Sequence, residues 1–304
     1  MHGGILHVNH IKDQIHCERA YRMGLSGKGI GVAVLDTGIF LHRDFDSRVT
    51  GFADMVNRRN FAYDDCGHGT HICGIIGGSG RMSGGRYSGI APGCNLIMVK
   101  VLDRKGNGYS SDVLAGISWV LERKEQLGIR ILNISVGACS KRGMSENSAL
   151  VKGVNRAWDA GLVVVVAAGN NGPRTMSITT PGISRKVITV GCSDDDREVL
   201  VGGNRMVDYS GRGPTAACIC KPDLVAPGCS VVSCSSRADK YTIKSGTSMS
   251  TPIVSGAVAL LLERFPDMSN KDVKLRLRES SVDIGLPRNQ QGWGKFNCKK
   301  FLAL

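Results

Sequence analysis

Nowhere in this 304-residue sequence does an apolar run approach the roughly 20 residues needed to cross a bilayer. The longest, such as GLVVVVAAG from Gly161, are far too short, so no membrane partner is expected. The N-terminus, MHGGILHVNHIKDQIHC, lacks a basic start followed by an apolar stretch, so no signal peptide is expected. The eleven cysteines are odd in number and lack the short regular spacings of a disulfide framework. Together these readings predict a cytoplasmic protein with mostly reduced thiols. Blocks of five or six consecutive Lys/Arg are also missing, and aromatics (5%) are not interleaved with basic residues. The net charge of +13 therefore points to no nucleic-acid partner, although it would suit acidic substrates. Repeats, low-complexity segments and linkers are absent too, which predicts one domain over 1–304, with an N-terminal segment 1–26 and a core 27–304.

With few aromatics and 40 glycines, the core has to be built from Val, Ile, Leu and Ala between tight turns. Short apolar runs, GIGVAVLDTG (29–38), NLIMVKVLD (95–103), IRILNISVG (129–137) and GLVVVVAAGN (161–170), read as strands. Between them SSDVLAGISWVLERKEQLG (110–128) and SENSALVKGVNRAWDAG (145–161) carry apolar residues at three- and four-residue spacing and stop at Gly. Continuously apolar strands alternating with helices predict a three-layer, doubly wound α/β fold, its mostly parallel sheet covered by helices on both faces. In the second half KVITVG (186–191) and KPDLVAPG (221–228) read as further strands joined by polar loops. SGTSMSTPIVSGAVALLLERFP (245–266) is apolar all round beyond its small polar start and belongs in a core. SNKDVKLRLRES (269–280) is a last amphipathic helix with a Ser cap and Asp272 three residues on.

Functional groups of open α/β sheets gather at the carboxyl ends of strands. Asp36 ends the first apolar run, His68 opens a helix at GHGTH, and Ser248 opens the buried helix. Each alone is ordinary, since serine caps helices and aspartate follows strands in turns. In combination they supply a nucleophile, a base and a group that orients the base. Asn170, just past a strand end in AAGNNGP, can donate an amide hydrogen to a developing oxyanion, as can the backbone N–H of Ser248 at a helix N-terminus.

The blocks VAVLDTGI, GHGTHICGIIGG and GTSMSTPIVSGAVALLL, with AAGNNGP, SGRGPT and KPDLVAPG, resemble the signature blocks of the subtilisin-like serine proteases. The match runs in order over most of the chain and is closest to intracellular bacterial subtilases. The resemblance implies a serine endopeptidase acting through an acyl-enzyme on protein or peptide substrates. Ser248 would be the nucleophile, His68 the general base and acid, Asp36 the orienting carboxylate and Asn170 the oxyanion donor. It also implies that Ser135, Val136, Gly137 and Ala167, Ala168, Gly169 wall the primary specificity pocket, with Thr179 near its floor. Small walls suggest preference for large apolar residues before the scissile bond. Gly106, Asn107 and Gly108 resemble the edge that pairs with extended substrate. No cofactor is required by this reading. The family's calcium loop is not recognisable in GGSGRMSGGRYSG, and Asp44, which resembles a calcium ligand, lacks its partners; a site built from backbone carbonyls is the remaining option for calcium. A catalytically silent peptide-binding relative is the alternative, disfavoured because all four chemical positions are filled. A metal-dependent hydrolase is disfavoured by the missing carboxylate–histidine cluster. No oligomeric state is legible.

Cys66, His68, His71 and Cys73 look like zinc ligands. On a helix, however, Cys73 stands five residues past His68, about 500° around, and faces elsewhere. No metal is assigned there. Cys66, two residues before His68, is a thiol whose oxidation or metallation could block the histidine. Cys218, Cys220, Cys229 and Cys234 read as reduced loop thiols, with a soft-metal site as the alternative.

Overall fold

The computed structural model describes residues 8–137 and 146–303. In chain order the elements are α1 (Val8–Gln14), α2 (Glu18–Arg22), β1 (Gly31–Asp36), β2 (Val49–Asp54), α3 (His68–Gly77), β3 (Asn95–Lys100), α4 (Ser110–Arg123), β4 (Ile129–Ile134), α5 (Ala149–Asp159) and β5 (Val163–Ala167). They continue with β6 (Ile188–Cys192), β7 (Val199–Val201), β8 (Asn204–Met206), β9 (Leu224–Ala226), β10 (Val231–Cys234), β11 (Tyr241–Lys244), α6 (Thr247–Arg264), α7 (Asn270–Ser280), α8 (Arg288–Gln291) and α9 (Cys298–Phe301).

The predicted apolar runs form one sheet of order β2-β3-β1-β4-β5-β6-β9, and every pairing in it is parallel. Its central strands are buried on both faces, as runs without alternation must be. α3 packs against α6 on one face, while α4 packs against α5 on the other, which completes the three layers. Chain order reverses direction at β1, with β3 and β2 to one side and β4 onward to the other. Asp36 at the end of β1 and Ser135 just past β4 therefore border the crevice of a topological switch point.

α6 shows why its sequence is apolar all round. Of residues 247–262, only Ser248 escapes burial. The helix runs under β4, β5, β6 and β9 and reaches the surface only at the nucleophile candidate and at its last two residues, Glu263 and Arg264. The predicted helix over 145–161 is shorter: Ser148 caps it, accepting from the Val151 N–H at 3.3 Å, and Ser145 lies outside the described residues. The last amphipathic helix has the full capping box, with Ser269 and Asp272 exchanging bonds.

The N-terminal segment 1–26 packs into the core over its described part. Ile11, Ile15, Cys17 and Ala20 are buried within the main hydrophobic cluster. Ile15 O accepts from the Cys298 N–H at 2.7 Å, and the Tyr21 hydroxyl donates to Ile90 O at 2.9 Å. The sulfurs of Cys17 and Cys298 meet at 2.9 Å. Among the described residues no helix is long and apolar enough to cross a membrane.

Candidate active site

Three local devices bring distant residues to the crevice. The first is the loop before α3. Asp64 spends one carboxylate oxygen on the N–H groups of Cys66 and Gly67 and the hydroxyl of Thr37 (3.1, 2.7 and 2.9 Å). Its other oxygen takes the N–H and hydroxyl of Thr70 (2.9 and 2.6 Å). This carboxylate does the work of an N-cap and places negative charge at the positive end of α3. The second is contact between α3 and the β1 turn: a Cβ on Gly69 would lie 2.2 Å from Gly38 O, so only glycine lets the helix come this close. The third is Lys100, buried at the end of β3, whose ammonium donates to Thr37 O (2.6 Å), Asp65 Oδ1 (2.7 Å) and Leu102 O (2.8 Å).

The result is a hydrogen bond from His68 Nδ1 to Asp36 Oδ1 at 2.7 Å, with Asp36 fully buried and the His68 side chain 22% exposed. The Thr37 N–H also donates to Asp36 Oδ1, at 2.8 Å. Because a carboxylate only accepts, the proton sits on Nδ1 and Nε2 is left as a lone-pair acceptor facing the crevice. The Ser248 hydroxyl donates at 2.7 Å to Ser135 O, and no hydrogen bond joins it to His68 in this resting arrangement. Beneath it Ser255 Oγ donates to Asn133 Oδ1 (2.8 Å) and Asn133 Nδ2 donates to Ser135 Oγ (2.9 Å), a buried network tying α6 to β4.

Asn170 is oriented by Thr247. The Thr247 N–H donates to Asn170 Oδ1 at 3.0 Å, and an N–H cannot accept, so the oxygen is assigned and the amide NH2 lies on the other side. The Thr247 hydroxyl donates to the same oxygen at 3.0 Å while accepting from the Gly169 N–H at 3.1 Å. Asp64, Lys100, Asn133, Thr247 and Ser255 were not singled out from the sequence. Asp64 was the legible one, since an aspartate ahead of a helix-opening glycine is a cap signal; the buried partners carry no local mark.

One cleft of about 450 Å³ gathers His68, Ser248, Asn170, Cys66, Gly106, Ser135, Val136, Gly137, Ala167, Gly169 and Thr179. Asn107 and Gly108 line instead an adjoining apolar hollow of about 210 Å³ with Gly106, Val136 and Gly137. Asn107 commits its N–H to Asp103 Oδ1 (2.9 Å) and its C=O to the Asp103 N–H (2.7 Å). The Gly106 N–H is likewise committed, to Asp103 O at 3.0 Å. Ala168 is fully buried and lines neither hollow; it supports the wall through its carbonyl, which accepts from the Thr179 N–H at 2.9 Å. Thr179 stands against both glycines of the cleft: a Cβ on Gly137 or Gly169 would lie 2.2 or 2.4 Å from its side chain.

Cys66 shares the cleft, and burial pushes its thiol up, so little of it is thiolate at neutral pH. His71 turns away: its Nε2–H is shared by Val231 O (3.1 Å) and Thr242 O (3.2 Å), and burial lowers its pKa to about 3. It is a neutral tie between α3 and the β10–β11 hairpin, and with Cys73 fully buried the zinc reading of this stretch has no shared centre. Asp44 does not fit a calcium ion. Its carboxylate accepts from the Met82 N–H (2.9 Å) and the Tyr241 hydroxyl (2.7 Å), donors a cation would have to displace. The carbonyls of Arg185, Lys186 and Val187 do converge as a cation site would require, but on the Lys274 ammonium (2.8, 3.0 and 2.9 Å). Nor are the four cysteines 218, 220, 229 and 234 brought together: Cys218 and Cys220 are exposed, and Cys229 and Cys234 lie in separate clusters.

The subtilase family profile matches residues 27–294. The chain belongs to the subtilase family. It is 42% identical over 285 residues to serine protease AprX of Bacillus subtilis, a match covering 88% of this chain and 64% of that relative's length. It is 33% identical over 273 residues to subtilisin DY of Bacillus licheniformis, covering 89% of this chain and 90% of the relative. Among solved structures, Sphericase superposes with a TM-score of 0.75 at 31% identity, covering 90% of this subtilase and 92% of that chain. A cold-adapted subtilisin-like serine proteinase superposes with a TM-score of 0.73 at 28% identity, covering 90% of each chain.

Proposed function

We propose that this subtilase is a serine endopeptidase that hydrolyses peptide bonds through an acyl-enzyme. The observation that carries the reading is the 2.7 Å bond from His68 Nδ1 to Asp36 in a cleft shared with Ser248 and Asn170. In this scheme the Ser248 side chain rotates its hydroxyl from Ser135 O to His68 Nε2, a change of one rotamer. His68 takes the proton as Oγ attacks the carbonyl carbon of the substrate. Buried Asp36 then stabilises the imidazolium. The oxyanion lies between Asn170 Nδ2 and the N–H of Ser248, which, in the first turn of α6, has no intrahelical acceptor. His68 returns the proton to the leaving amine, and water repeats the sequence to release the acid.

The substrate is a protein or peptide whose extended backbone lies along Gly106 and Gly108 on one side and Ser135–Gly137 on the other. The side chain before the scissile bond enters between Gly137 and Gly169 and is apolar, with Thr179 limiting its depth. No metal or other cofactor takes part in the proposed steps.

The test is active-site labelling with a fluorophosphonate. Labelling that is lost in Ser248→Ala, with peptide hydrolysis falling by several orders of magnitude, supports the scheme. A folded but unlabelled wild-type protein would favour the silent peptide-binding alternative.

A further inference from the structure

β6 and β9 are parallel neighbours, with Cys192 opposite Ala226, so the chain leaves both strands side by side at their carboxyl ends. That juxtaposition creates a second polar cluster, behind the nucleophile's turn rather than in the cleft. Cys192 Sγ donates to Asp194 Oδ1 at 3.1 Å, and Cys229 Sγ donates to Asp194 O at 2.8 Å. The Tyr209 hydroxyl lies 3.2 and 3.1 Å from the two sulfurs. One ligand atom from each of Cys192, Asp194 and Cys229 falls within 4.8 Å of the others.

Satisfaction of hydrogen bonds separates this cluster from the similar one at His42, Asp44 and Cys234. There every polar group has an internal use: His42 Nε2 donates to Lys240 O, His42 Nδ1 accepts from the Asp44 N–H, and both Asp44 oxygens are taken. In the Cys192 cluster Asp194 Oδ1 accepts from the N–H groups of Gly228 (2.8 Å) and Cys229 (3.2 Å), while Oδ2 is buried and without a partner among the described residues. A buried carboxylate oxygen left unpaired beside two thiols is a poor hydrogen-bonding arrangement and a good donor set for a cation.

We propose that Cys192, Asp194 and Cys229 form a binding site for a thiophilic divalent cation of the zinc class. Tetrahedral zinc–sulfur bonds of about 2.3 Å place two sulfurs about 3.8 Å apart, so with the ligand atoms already within 4.8 Å of one another a closure of up to about 1 Å completes the site. Two sulfur–metal bonds form as two thiol protons leave to solvent, with no change of oxidation state. Asp194, only partly buried, gives the ion a route in.

The site is coupled to α6 through backbone. Gly228 O accepts from the Gly246 N–H at 3.0 Å, and the Ser230 N–H donates to Ser245 Oγ at 2.9 Å. Gly228 also packs so closely on α6 that a Cβ there would stand 2.4 Å from Ser250 Oγ, so the cysteine loop rests against the turns on both sides of Ser248.

The test uses reduced, metal-free Ser248→Ala protein, in which binding is read independently of turnover. Titration with Co²⁺ should give one equivalent of uptake with thiolate-to-cobalt charge-transfer absorption, bleached by one equivalent of Zn²⁺. Cys192→Ala and Cys229→Ala should abolish the band. Asp194→Asn, conservative and partly exposed, should weaken affinity at least tenfold without unfolding the chain. Cys66→Ser and Cys234→Ala should leave the band intact. Absence of the band, its survival in Asp194→Asn together with either cysteine variant, or its loss in Cys66→Ser or Cys234→Ala would overturn the proposal.

Discussion

Single residues here have consequences that can be measured separately. His71 is neutral in the fold because burial lowers its pKa from 6.5 to about 3. Below about pH 6.5 the unfolded chain binds a proton that the folded chain refuses, so stability falls as pH drops through that interval, by up to about 1.4 kcal/mol per pH unit. His71→Gln keeps a donor for Val231 O and cannot titrate. Its unfolding free energy should fall less steeply with acid than that of the parent, and equal slopes would refute the assignment. Thr179 closes the pocket between Gly137 and Gly169. Thr179→Gly should shift kcat/KM toward large aromatic residues before the scissile bond by about tenfold; a library profile unchanged by the substitution would remove Thr179 from the floor. Cys66 lies in the cleft with a raised thiol pKa. A mercurial should inhibit hydrolysis, and Cys66→Ser should resist it; equal sensitivity would show that another thiol responds.

At the scale of elements, the first turn of α6 is the part that matters most. Thr247 fixes the Asn170 amide through its N–H and its hydroxyl. Thr247→Val should lower kcat by roughly tenfold with little change in KM, against the 10²–10³ expected for Asn170→Ala, and Thr247→Ser should restore it. A matching rise in KM would instead mean that the pocket wall had moved. Elements differ in how far the sequence announced them. β1, β3, β4 and β5 were legible because strands buried on both faces need uninterrupted apolar residues, and α6 because a helix buried all round does too. Asp36, His68, Asn170 and Ser248 stood out because each sits at or near an element end within two residues of a glycine. β2 was missed because an edge strand is half-exposed and carries Gly51 in its middle. The β7–β8 and β10–β11 ribbons were missed as well. They are two-stranded, and their partly exposed strands, such as Asn204–Met206 and Tyr241–Lys244, leave little hydrophobic pattern. The hydrogen-bonded supports, Lys100, Asn133 and Ser255, depend on contacts over tens of residues and cannot be seen in any short window.

At the scale of the molecule, the charge of +13 reaches the cleft. Lys105 and Lys244 line it, and no carboxylate does among the described residues. Peptides with acidic residues flanking the cleavage point should be preferred at low ionic strength, and the preference should shrink with added salt. Charge reversal at both lysines should reverse it; a preference that survives reversal would place its origin elsewhere. The Ser26–Gly27 turn and Leu302 meet at the far end of α6, about 24 Å of helix away from Ser248. There Glu263 accepts from the N–H groups of Ser26 and Gly27 (2.7 Å each), and Arg264 donates to Leu302 O at 2.6 Å. Segments clasped this far from the chemistry can be loosened without reshaping the cleft.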